Sequence, residues 1–158
     1  MPVIVKRYII LTGIIALIGA LLHIAIMIGG PDWYAFFGAP EGLVQMARDG
    51  NLRAPISCLI IAGMLFVFAA YAFSATGLIK RLPLLRIVNG LIATVLILRG
   101  LIFIPLILWK PEMLSGICDC RSIDVFIVVT SLLCLAMGLG YAMAAIFIGR
   151  ASTRHETR

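Results

Sequence analysis

The sequence predicts an all-α fold: a bundle of four transmembrane helices, both termini cytoplasmic, with a short interfacial helix in the first loop. Three observations predict it. Of the 158 residues, 63% are hydrophobic and the mean hydropathy is +1.14, whereas a water-soluble domain is about 45–50% apolar. Apolar runs of about 20 residues, the length that crosses a bilayer core, recur at about 8–29, 54–79, 87–109 and 125–149. The cations are also unevenly divided. With the N-terminus inside, eight of the 13 Lys and Arg fall in inside segments and four in outside loops, leaving Arg99 within a span. Cytoplasmic loops carry this excess. Six of the seven acids (Asp32, Glu41, Asp49, Glu112, Asp119, Asp124) then lie outside, with Glu156 inside. Residues 1–158 read as one integral membrane domain of a bacterial inner membrane.

Span 1 follows Lys6-Arg7. Its apolar run is about twice a signal-peptide core and lacks a terminal Ala-x-Ala, so it reads as a retained span. Gly29-Gly30-Pro31 breaks it. Trp33 and Tyr34 favour the membrane boundary. From Pro40 to Gly50 the pattern of an early proline and a closing glycine predicts a short surface-lying helix. Loop 2, Lys80 to Arg86, contains Pro83 and is short enough to make spans 2 and 3 antiparallel neighbours. Its three cations read as a topology signal that also suits anionic lipid head groups. Loop 3, Lys110 to Asp124, lies outside, and Asp124 is placed to cap span 4. The tail from Arg150 is polar. Small residues permit close helix approach. They step by four along span 4 (Ala136, Gly140, Ala144, with Gly138 and Ala142 alongside), span 1 (Thr12, Ala16, Ala20) and, less consistently, span 2 (Ala62, Phe66, Ala70, Ser74). These stripes fit packing within one chain and equally a homo-oligomer.

Arg99 stands out chemically. It lies roughly 18 Å from the Ile87 end of its span and roughly 15 Å from the Trp109 end. A charge at that depth costs about 2.5–3.5 kcal/mol on insertion scales and is a functional-site hypothesis by default. Its planar fork suits a carboxylate, a lipid phosphate or a quinone oxygen. Tyr71, Asn89, Thr130, Ser131 and Tyr141 are the uncharged polar neighbours available. His23, one turn after Ala20, is the one histidine within a span. Arg99, His23, Tyr71 and Tyr141 form the expected ligand site, an outward-facing intramembrane cavity. Pro105 removes a backbone bond and bends span 3 above Arg99. Cys118 and Cys120 face the oxidising side, where a disulfide to Cys58 or redox chemistry is feasible. Their Cys-x-Cys spacing differs from the Cys-x-x-Cys that four-helix thiol–quinone oxidoreductases place at a helix start. Cys134 reads as a small apolar filler. No metal site or cofactor is expected.

The run Pro31-Asp32-Trp33-Tyr34-Ala35-Phe36-Phe37-Gly38-Ala39-Pro40, then Leu82-Pro83-Leu84-Leu85-Arg86 and Arg99-Gly100, resembles a group of small four-span bacterial inner-membrane proteins of unassigned function. That resemblance implies the four-span topology and lends no activity. On the residues, the leading expectation is a non-enzymatic membrane protein that binds an anionic lipid or lipid-like ligand. A thiol–quinone redox enzyme using Cys118 and Cys120, and a structural subunit of a larger complex, stay open. Membrane lipids, a second copy or a larger membrane complex are the expected partners. Nucleic acid is not, because no basic domain exists to carry it.

Overall fold

A computed structural model describes the backbone of residues 1–109 and 125–156, and the side chains of 1–101 and 128–149. Among the described residues six helices follow in order: α1 (Val3–Gly29), α2 (Pro31–Phe36), α3 (Glu41–Arg48), α4 (Arg53–Ala75), α5 (Leu85–Trp109) and α6 (Val125–Glu156). Among the described residues there is no strand. Among the described residues three helical segments are long and apolar enough to cross a membrane: Val3–Gly29, Arg53–Ala75 and Val128–Gly149. Pro105 lies where the backbone of α5 alone is described. Loop 3, with Asp124, Cys118 and Cys120, falls outside the described residues.

The helix limits follow local chemistry. α1 begins before its apolar run, because the Lys6 amide already bonds the Pro2 carbonyl at 3.1 Å. It stops at Gly30, whose φ of 75° is costly for a side-chain-bearing residue. Pro31 then opens α2, where a missing N–H costs nothing. The sequence places this aromatic segment at a surface without predicting its helix. α4 ends four residues earlier than the predicted span. Thr76-Gly77 closes it with paired bonds, Gly77 N to the Ser74 carbonyl at 3.2 Å and Leu78 N to the Phe73 carbonyl at 3.0 Å, and Gly77 takes the left-handed φ of 75° that this stop uses. Ser74, 2% exposed, then ties the following loop down. Its hydroxyl donates to the Lys80 carbonyl at 3.0 Å and accepts from the Leu82 amide at 2.9 Å. Ser74→Ala leaves both groups without that partner and is expected to cost about 1–3 kcal/mol, read as a lowered midpoint of unfolding in detergent.

Packing uses two antiparallel hairpins. In the first, Gly13 meets Ala72 and Phe73, and Gly19 meets Leu65, so α1 and α4 run side by side. Ala16, Ala20, Ala62, Ala69 and Ala72 are buried there. In the second, Gly100 meets Leu135, Gly138 meets Ile97, and Gly149 meets the Arg86 guanidinium. α5 and α6 thus pair from Arg86 to Gly100 on one side and from Gly149 to Leu135 on the other. The hairpins meet where Gly140 packs on Thr12 and where the Tyr8 hydroxyl donates to the Ala136 carbonyl at 2.6 Å. Large apolar side chains point the other way: Ile60 is 64% exposed and Leu91 61%. Small residues inside and large apolar ones outside reverse the usual order of a soluble core and match a protein solvated by lipid.

α2 and α3 cap one end. Tyr34, Val44, Ala54, Cys58 and Ile26 form a second, smaller core beneath them. α3 is amphipathic, with Val44 buried and Glu41, Gln45 and Arg48 exposed. The Asn51 carboxamide oxygen accepts from the Arg53 amide at 3.0 Å and starts α4. α3 falls between Pro40 and Gly50, where the sequence predicts a short helix.

Candidate functional site

Of the four side chains expected to share a ligand cavity, Tyr71 and Tyr141 belong to one apolar core, while Arg99 and His23 lie elsewhere on α5 and α1. Arg99 is exposed, beside Leu98 and Val95 on the outer face of α5, while its neighbour Gly100 turns inward to Leu135 and Ser131. His23 is half-buried on α1. Its Nδ1 donates to the Gly19 carbonyl at 2.7 Å; a carbonyl only accepts, so this bond fixes the proton on Nδ1. Among the described residues the backbones of α1, which carries His23, and α5, which carries Arg99, do not approach closely. Tyr71 lies near the opposite end of α4 from the cap, where its hydroxyl donates to the Pro83 carbonyl at 3.3 Å. Tyr141 is fully buried, edge-on to Phe68 with ring centroids 6.0 Å apart. Cys58 and Cys134 are free thiols, Cys58 buried and Cys134 half-buried.

Among the described residues, the buried Tyr34 and Tyr141 hydroxyls and the Asn89 side-chain oxygen have no hydrogen-bond partner. Asn89 spends its amide on the Leu85 carbonyl at 2.7 Å. Tyr34 sits in the cap next to Cys58. Burial, and beside it the Cys58 thiol, push the Tyr34 hydroxyl to a raised pKa. Tyr34 and Asn89 carry no periodic signal that marks them as buried.

A cleft at the end opposite the cap is absent from the sequence reading. It has a volume of about 480 Å³ and is lined by Met1, Ser74, Thr76, Gly77, Arg81 and Leu82, among others. A second groove of about 610 Å³ runs beside it over the outer face of α5 and α6, with Leu84, Arg86, Ile87, Gly90 and Ile146 along it. Leu85 and Ile148 line both. Each volume falls in the range of small-molecule sites, about 300–1,000 Å³. The signal in the sequence is the helix stop Thr76-Gly77 followed at once by Lys80-Arg81.

The fold defines a membrane-embedded helical protein. No protein-family model, no curated protein and no solved structure matches the chain.

Proposed function

We propose that this is a four-span protein of the bacterial inner membrane, with both termini cytoplasmic, that acts by binding rather than by catalysis. Its ligand is an anionic lipid or lipid-like molecule. α5 supplies the fourth span, since its 25 residues extend roughly 37 Å at the α-helical rise. The observation that carries the ligand reading is the placement of charge. All eight Lys and Arg with described side chains are exposed: Lys6, Arg7, Arg48, Arg53, Lys80, Arg81, Arg86 and Arg99. The buried polar residues, Thr12, Ser74, Thr76, Asn89 and Ser131, are uncharged. An anion that meets these cations approaches from the bilayer or from its surfaces, not from between the helices. The reading therefore moves the ligand from an interior cavity to the outer face.

Arg99 is the cation deepest in a span, and arginine holds a phosphate or carboxylate through two parallel donors. Arg99→Gln is expected to lower the anionic lipid recovered with gently purified protein several-fold. Equal recovery from both proteins would overturn Arg99 as a ligand contact. A C-terminal fusion to a fluorescent protein that matures only in the cytoplasm is expected to be bright, and a stable dark fusion would overturn the orientation. The subunit reading loses one support: the small residues of α6 are taken up inside the chain, Gly140 by Thr12 and Gly138 by Ile97.

A further inference from the structure

We propose that the cleft opposite the cap binds the phosphate head group of an anionic phospholipid of the inner leaflet, with an acyl chain in the groove beside it. The site lies away from Arg99 and rests on the reading above only for the side of the membrane it faces. Its floor is the C-terminal turn of α4, held by the Gly77 stop. Its wall is the loop that Ser74 fastens through the Lys80 carbonyl and the Leu82 amide. That fastening leaves Arg81 lining the cleft. Leu85, the first residue of α5, lines the same space.

Charge sets the occupant. This end of the bundle carries Lys6, Arg7, Lys80, Arg81 and Arg86, while the acids with described side chains, Asp32, Glu41 and Asp49, all lie in the cap segment at the far end. A basic pocket between membrane helices at the inner surface is suited to anionic head groups. Shape sets the rest. The head-group cleft shares Leu85 and Ile148 with a groove walled by Leu84, Ile87 and Ile146, apolar side chains that suit an acyl chain and not a soluble phosphate. Arg86 lines that groove and stacks its guanidinium over Gly149, which puts a second cation beside the junction.

The test is native mass spectrometry of the full chain in mild detergent with equal amounts of phosphatidylglycerol and phosphatidylcholine. Wild type is expected to retain the anionic lipid at least about five-fold over the zwitterionic one. Arg81→Gln/Arg86→Gln is expected to erase that preference, and Arg48→Gln/Arg53→Gln, at the cap end, to keep it. Arg81→Lys/Arg86→Lys is expected to retain most of it, which separates lost charge from lost folding. Unchanged preference in the double Gln variant would overturn the site. So would displacement of the lipid by an equal concentration of inorganic phosphate, or a preference lost only in Arg99→Gln. A dark C-terminal fusion with preference still dependent on Arg81 and Arg86 would overturn the inner leaflet and leave the lipid site standing. A bright fusion without that dependence would overturn the site and leave the orientation standing.

Discussion

Gly138→Leu is expected to destabilise the α5–α6 pair strongly. A Cβ there would stand 2.7 Å from Ile97 Cγ1, 3.2 Å from the Ile97 amide nitrogen and 3.3 Å from the Ala93 carbonyl oxygen. Two of those atoms are backbone, so α5 and α6 must separate to admit it. Overpacking typically costs about 1–3 kcal/mol, and a whole leucine at a helix contact lies at or above the upper end. Gly63 and Gly90 provide the contrast, since a Cβ at either meets nothing within 4 Å. Gly63→Leu is expected to leave stability within about 0.5 kcal/mol. Unfolding by SDS in mixed micelles reads both. Equal midpoints for Gly138→Leu and Gly63→Leu would show that the α5–α6 contact is not close.

Two tyrosines are expected to respond with opposite sign to loss of the hydroxyl. Tyr141 is fully buried and its oxygen has no partner. Tyr141→Phe removes an unsatisfied polar atom and keeps the ring against Phe68, so it is expected to stabilise the fold by about 1–2 kcal/mol. Tyr8 donates to the Ala136 carbonyl across the seam between the hairpins. Tyr8→Phe is expected to lose about 1 kcal/mol. The same micelle assay, run on both, gives the two signs. A loss at Tyr141 would reveal an ordered water or a bound molecule on its hydroxyl.

The membrane-embedded helical character was legible because it rests on bulk properties, long apolar runs and the charges between them. The inward stripe of α1, Thr12, Ala16 and Ala20, was legible as well, because over two turns a four-residue step departs little from the helical period. On α4 the step holds at its ends and fails between them: Ala62 and Ser74 are buried, but Phe66 is 38% exposed while Ala69 and Ala72 are buried. An α-helix repeats every 3.6 residues, so steps of four drift by about 40° each and the inward side passes to positions three or four apart. The candidate site was harder to read. Depth along a helix is countable from the sequence, and Arg99 is counted to mid-span, but the direction it faces depends on which neighbour covers α5. That neighbour is α6, not α1. The cleft is a property of four chain segments brought to one end, with Ser74 acting through two loop backbone groups six and eight residues away. No local pattern encodes that.

Most helix contact is spent within each hairpin, α1 with α4 and α5 with α6, and comparatively little between them. The protein is in effect two helical couples sharing a narrow seam, pinned by Tyr8, Thr12 and Gly140. Each couple holds much of its final packing within itself, so a change wedged into the seam near Tyr8 is expected to weaken the docking of the two couples and to leave the packing inside each largely intact.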